Sequence, residues 1–239
     1  MKTTLCALVL LTFWLLPGPT LAGDGETPLA AARTDFAAGR YAAAAGKLEI
    51  AYADGARNAG CCLAAATAWQ LANDRGRTVL WLARASRLDP GNPNVQHALV
   101  AADVAMPGPI LPLAGRFSPR ALLWLALGGN TAFWLGLLLA RRMRRRVPVA
   151  VLVLVGLVVG WLWLEAGTAT LAPRLQPEGV ILTPVPVRCA PEPEAEILFS
   201  LPAGQIVALG PARDGYRQIE AGPDRLGWLP ARTVADITP

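Results

Sequence analysis

Two uncharged apolar runs on either side of a knot of arginines constrain this chain more than any other feature. Residues Ala121 to Ala140 (ALLWLALGGNTAFWLGLLLA) carry no charge over twenty residues, and Val147 to Leu164 (VPVAVLVLVGLVVGWLWL) carry none over eighteen. At roughly 1.5 Å of rise per residue, either run is long enough as a helix to cross a bilayer core of about 30 Å. Between them stands RRMRRR, which places Arg141, Arg142, Arg144, Arg145 and Arg146 within six residues. Without these five, the basic residues equal the 17 acidic ones in number, so the whole net charge of +5 sits here. A nucleic-acid binder spreads its basic residues over a face and interleaves them with polar or aromatic groups. An arginine cluster between apolar spans is instead a topological signal that holds its loop on the cytoplasmic side. The reading is a membrane hairpin, with spans at 121–140 and 147–164, a cytoplasmic loop at 141–146, the lipid bilayer as a partner and no nucleic acid.

The beginning of the chain agrees with that orientation. Lys2 precedes an apolar run from Leu5 to Leu16, then Pro17 to Pro19, then Thr20-Leu21-Ala22 with small residues at the cleavage positions. Residues 1–22 therefore read as a secretory signal peptide cleaved after Ala22, with an uncleaved anchor as the alternative. Both soluble portions then lie on the outer side of the membrane. They are 23–106 and 178–239, joined to the hairpin by a Pro-rich tether at 107–120 and a linker at 165–177.

The first portion is rich in alanine and is punctuated by turn signals at Ala38-Gly39-Arg40, Asp54-Gly55, Asn73-Asp74 and DPGNPN from Asp89 to Asn94. Short helices in antiparallel pairs follow. An offset of 34 residues pairs Leu29 with Leu63, Ala32 with Ala66, Leu48 with Leu82 and Ala51 with Ala85. Small residues let paired helices approach closely, while Leu, Tyr and Trp fill the layers between hairpins. A last helix over 92–106 is expected to cap the stack, with Asn92 as N-cap and Pro93 at its first position.

The second portion changes character. Short runs of Val, Ile and Leu alternate with Gly and Pro turns, which predicts a small antiparallel β-barrel. Strands are expected at Gly179–Thr183, Pro186–Arg188, Glu196–Leu201, Ile206–Pro211, Tyr216–Glu220 and Leu226–Pro230, with VADI closing the chain. Gly227 allows close backbone approach, and Tyr216 and Trp228 are expected in the core.

Catalytic signals are absent from this reading. His97 is the one histidine and falls on the capping helix, where a structural or solvent-facing role is expected. The soluble portions show no carboxylate pair, phosphate-cradling glycine loop or nucleophile motif. The run Glu192, Glu194, Glu196 reads as a solvated edge, and it lacks the calcium-loop spacing with its glycine. No metal or other cofactor is expected. Three thiols remain after the signal, Cys61, Cys62 and Cys189. Neighbouring helical residues point about 100° apart, so a Cys61–Cys62 disulfide would distort its helix. Buried packing and a redox role in an oxidising compartment both stay open for the thiols.

Binding is the remaining class of function. One candidate partner surface lies on the first helix of the second hairpin, where Leu63, Thr67, Gln70 and Leu71 would meet an apolar ligand or pack on the capping helix. Within the spans, Gly128, Ala132 and Gly136 repeat every four residues, and Gly156 and Gly160 form GxxxG. Packing inside the hairpin and contact with another protein explain that spacing equally well.

Three resemblances follow from these residues. FAAGRYAAAAGKLEIA and WLARASRLDP resemble second helices of tetratricopeptide repeats through Tyr41, Ala44, Leu48 and Ala51, then Leu82, Ala85 and Pro90. The first unit departs from that pattern where Asp35 stands opposite Trp69, and Cys62 fills a position usually held by a large residue; a generic helical bundle is the alternative. The C-terminal portion resembles a bacterial SH3-like domain in VRCAPEPEAEILFSLPAGQIVALG, in Tyr216 and Ile219, and in GWLP at Gly227 to Pro230. Signal peptide, repeats, two spans and SH3-like end together resemble the BatE-type proteins of bacterial aerotolerance operons. That resemblance implies a multidomain α, membrane and β architecture: tetratricopeptide-like hairpins, a transmembrane hairpin and an SH3-like barrel. It implies a non-catalytic scaffold that is two-pass in a bacterial inner membrane, with both soluble modules periplasmic. Its partners would be Bat proteins with von Willebrand factor A domains and, indirectly, a MoxR-type ATPase. The competing expectation is a cell-wall protein whose SH3-like domain holds peptidoglycan.

Overall fold

A computed structural model describes residues 28–104, 113, 116–142, 148–175, 177–222 and 225–237. The expected signal peptide, most of the Pro-rich tether and Arg144, Arg145 and Arg146 of the loop lie outside the described residues.

Five short helices open the described chain: α1 (Pro28–Ala37), α2 (Tyr41–Ala53), α3 (Ala59–Leu71), α4 (Arg75–Leu88) and α5 (Pro93–Ala101), each packed on the next. Their ends fall where the turn residues stand. Asn73 and Gly39 take the left-handed conformation, φ 60° and 73°, that ends a helix without strain only for Gly and a few short polar residues. Asn58, Asp74 and Asn92 each accept a backbone N–H in the first turn of the following helix, from Cys61, Arg77 and Asn94. The α5 helix has Asn92 and Pro93 in their expected roles but ends at Ala101, five residues short, where the chain turns through Asp103 with φ 52°. Ala44, Ala45, Ala65 and Ala68 are fully buried where the helices approach. Tyr52, Trp69, Trp81, Leu82, Val95 and Leu99 complete the core of this layer.

Two long apolar helices follow, α6 (Pro119–Arg142) and α7 (Val149–Leu175), packed against each other. The second continues eleven residues beyond Leu164, so most of the expected linker at 165–177 is helical. Nothing from Glu165 to Ala172 breaks a helix, and Thr170 donates its hydroxyl to the Ala166 carbonyl one turn back.

Seven antiparallel strands form the C-terminal sheet: β1 (Glu178–Ile181), β2 (Val185–Arg188), β3 (Ile197–Leu201), β4 (Ile206–Arg213), β5 (Tyr216–Glu220), β6 (Leu226–Pro230) and β7 (Val234–Asp236). Their order is β3-β2-β6-β5-β4-β1-β7. The expected barrel is corrected here, because β3 and β7 do not pair and the sheet stays open. The reason lies in β7, which pairs with β1 on one side and meets helix α4 on the other. Tyr216 and Trp228 are also corrected, being half-buried and outside the apolar cluster of Ile181, Val185, Val187, Leu201, Val207, Leu209, Ile219 and Leu229. Side chains alternate along β6, so with Gly227 and Leu229 turned inward, Trp228 is carried to the other face. Gly227 does provide close approach: a Cβ there would stand 2.3 Å from Val187 Cγ1.

Candidate functional site

Helix α4 organises the part of the molecule outside α6 and α7. Gly76, Thr78, Val79, Leu80, Trp81, Leu82, Ala83 and Ala85 are all buried, whereas Arg75 and Arg77 are exposed. Its buried positions face two ways and meet two neighbours at once, while its four arginines stand at the margins. Trp81, Leu82 and Ala85 face the helical core, whereas Val79, Leu80 and Ala83 pack with Val180 of β1 and Ile237 beyond β7. At its start the backbones come close enough that a Cβ on Gly76 would stand 2.2 Å from the Leu182 carbonyl oxygen. At its end Arg84 donates to the Asp236 carbonyl at 2.9 Å, and Arg87 forms an ion pair with Glu178. The two portions 23–106 and 178–239 are therefore joined through a common apolar layer with polar clamps.

This junction borders an open cleft of about 520 Å³ lined by Arg75, Asp103, Val104, Pro202, Gly204 and Ile206. Its two charged side chains do not pair with each other or with other described residues.

Inside the helical layer, one oxygen of Glu49 accepts both indole N–H groups, from Trp69 at 2.8 Å and Trp81 at 2.9 Å. Arg77 lies 4.2 Å over the Trp69 ring and Arg84 lies 4.8 Å over Trp81. Asp35, at the position opposite Trp69 in the 34-residue offset, is buried and paired with Arg40 and Lys47. Lys47 first and then Arg40 hold its carboxyl below the ordinary range. An ion cluster thus replaces the missing aromatic of the first hairpin. Cys61 and Cys62 are buried among the helices, and burial pushes the Cys62 thiol up to about 12 and raises Cys61 as well. Neither thiol is poised as a nucleophile, since the thiolate is the reactive form. Cys189 is exposed on the sheet, and His97 is exposed on α5.

The proposed partner surface on α3 is partly open. Leu63 packs at the margin of the core, Thr67 donates its hydroxyl to the Leu63 carbonyl, and Gln70 and Leu71 are exposed. Exposure of the last three separates them from the capping helix α5, which packs on α4.

In the hairpin, Pro119–Ala140 and Ala150–Leu171 are long and apolar enough to cross a membrane, and only 11% of each window is buried by protein. Arg142 is exposed at the end of α6, adjoining the loop that connects the helices. Of the two explanations for the glycine spacing, packing inside the hairpin is not what Gly128, Gly156 and Gly160 serve. A Cβ on Gly129 would meet Leu162 at 3.5 Å, an ordinary contact, whereas Gly128, Gly156 and Gly160 face open space. Ala132 and Gly136 line a groove of about 400 Å³ between the helices.

Glu165 is the residue that sequence reasoning passed over. It is fully buried in α7 and accepts the Leu113 N–H at 3.4 Å. Nearby, a Cβ on Gly91 would stand 2.1 Å from the Arg116 carbonyl oxygen. Leu113 and Arg116, which precede α6, therefore touch the C-terminal half of α7 and the α4–α5 turn. The available signal was a lone carboxylate just beyond an uncharged span, where an ionisable group is expensive unless it is satisfied.

No protein family, curated protein or solved structure matches this chain.

Proposed function

We propose that the chain is a non-catalytic adaptor of a bacterial inner membrane, anchored by α6 and α7 and assembling partners through a single periplasmic body. In this reading the α1–α5 helices are tetratricopeptide-like hairpins and the sheet is an SH3-like domain. The partners are those of the BatE-type resemblance: von Willebrand factor A-domain membrane proteins, with a MoxR-type ATPase behind them. The observation that carries the proposal is the pair of 22-residue apolar helices with only 11% of each window buried, beside two soluble portions fused through α4. An apolar surface of that length has no place in water, whereas a bilayer covers it at no cost. The arginine loop fixes the orientation and leaves both soluble portions outside.

Reporters test the topology. A fusion after Arg146 should behave as cytoplasmic and one after Pro239 as periplasmic, and the reverse result would sink the proposal. Copurification after mild detergent extraction should then recover membrane proteins with von Willebrand domains. Retention of the chain on isolated peptidoglycan without them would replace the adaptor by a cell-wall protein.

A further inference from the structure

A Pro-rich connector acting as a free tether would let the body built from α1–α5 and the sheet swing over the hairpin. Two attachments oppose that movement. On one side α7 stays helical to Leu175, and Pro177 already belongs to the sheet, its carbonyl accepting the Leu209 N–H at 2.7 Å. Strand β1 starts at Glu178 and packs on α4, so the sheet follows α7 directly. On the other side, Leu113 and Arg116 stand between the hairpin and the helical layer. The Leu113 carbonyl accepts the N–H groups of Arg116 and Phe117, both at 3.0 Å, and the Ser118 hydroxyl accepts the Ala121 N–H in the first turn of α6. These bonds tie Leu113 to the start of α6. Its side chain packs against Leu122, Ala126 and Ala166, a cluster drawn from both long helices. Its N–H goes to the buried Glu165 of α7, while the Arg116 carbonyl lies so close to Gly91 that a Cβ there would stand 2.1 Å away.

We propose that Glu165 is the latch of a conformational coupling, a positioning residue that holds the body in one orientation over the hairpin and makes it follow the packing of α6 on α7. Leu113 travels with α6 and Glu165 with α7, so the bond between them survives only one placement of the two helices. Arg116 carries that placement to Gly91 in the α4–α5 turn, and α4 in turn carries the sheet. Body and hairpin thus meet at two points, the direct run of α7 into β1 and the contact of Arg116 with Gly91. A shift of one long helix along the other breaks the latch and frees the second point while the first holds. The choice of residue supports this role. A fully buried carboxylate is expensive beside apolar helices, and leucine would fill the site more cheaply. What the carboxylate adds is direction, because a hydrogen bond is made at one geometry whereas an apolar contact slides. The inference deepens the adaptor reading and takes its membrane setting from it.

Distances between spin labels on the full chain in lipid nanodiscs provide the test. In a Cys6→Ser, Cys189→Ser background, labels at Val100→Cys on α5 and Leu139→Cys on α6, 80% and 50% exposed, report body against hairpin. The parent chain should give a single narrow distance distribution. Glu165→Leu, which accepts no hydrogen bond, should lose that peak to a broad one. Glu165→Gln keeps an acceptor for the Leu113 N–H and should retain it. Gly91→Ala lies outside the hairpin, drives a methyl group into the Arg116 carbonyl, and should broaden the distribution as Glu165→Leu does, with the melting profile of the body unchanged. A broad distribution in the parent chain would overturn the coupling. So would a narrow one in Glu165→Leu, or in Gly91→Ala, since the body would then be held without the latch. Alkaline extraction tests the membrane setting separately: a chain washed off the bilayer sinks the adaptor reading, whereas the latch stands or falls on the distances alone.

Discussion

Arg87, in the last turn of α4, forms an ion pair with Glu178, the first residue of the sheet, across 91 positions of sequence. Their side chains are 29% and 18% exposed, so water screens the pair less than it does an ordinary surface contact. Replacing Arg87 with Ala or Glu178 with Gln should each lower unfolding stability by about 1–2 kcal/mol. The double variant should cost little more than either alone. Thermal denaturation of the four chains measures the coupling, and fully additive losses would show that the pair does no joint work.

Gly76 sets how closely α4 can approach the sheet. Gly76→Ala would drive a methyl group into the Leu182 carbonyl, forcing the two backbones apart at a cost of about 1–3 kcal/mol. Gly46→Ala, also within a helix but with nothing within 4 Å, should instead be neutral or stabilise by up to about 1 kcal/mol. Amide exchange at 178–182 should quicken in the first variant and stay unchanged in the second.

Glu49 supplies the acceptor for two indoles. Glu49→Leu would leave both N–H groups without a partner and should cost about 2–4 kcal/mol, with altered tryptophan emission. Glu49→Gln keeps an acceptor oxygen and should lose about 1 kcal/mol. Equal losses in the two variants would mean that the hydrogen bonds contribute nothing specific.

The thiols should separate sharply by reactivity. At pH 8 an aromatic disulfide reagent should modify Cys189 at once, and Cys61 and Cys62 only after denaturant is added, because burial raises both helical thiols and takes Cys62 to about 12. In the unfolded chain these thiols ionise near their ordinary value of 9.0, so their contribution to stability is complete below that pH and declines above it. Replacing both with Ala should leave function intact; a defect seen only under oxygen stress would establish a redox role.

Asp35 makes the helical layer sensitive to acid. Lys47 and Arg40 hold its folded pKa below the ordinary 3.8, so the stability it adds is present above that value and is lost as pH falls through the lowered one. The melting temperature of the native chain should therefore drop more steeply below pH 4 than that of Asp35→Asn. Parallel pH profiles would count against the ion cluster.

Local chemistry made much of this architecture legible in the sequence. Helix ends in the first portion follow Gly39, Gly55, Asn73 and the Asn92–Pro93 pair, since each acts within one turn of itself. The last two expected strands, Tyr216–Glu220 and Leu226–Pro230, keep their bounds because turns flank them directly. Of the candidate binding residues, Thr67, Gln70 and Leu71 are exposed and Leu63 is half-buried at the margin of the core. Glu165 escaped attention because its burial and its bond from the Leu113 N–H, 52 positions away in sequence, are tertiary and no local pattern announces them.

The sequence by itself determined the apolar lengths of α6 and α7, the charge between them, and the alternation of helix and strand. Each of these depends on neighbours a few residues apart. Only the tertiary structure decided that α4 serves two cores, that β7 meets it and leaves the sheet open at β3, and that Trp228 stands outside the core while Leu229 lies within. Those outcomes turn on which apolar face meets which. They are set by shape and distance between segments as far apart as Arg84 and Asp236, 152 residues along the chain.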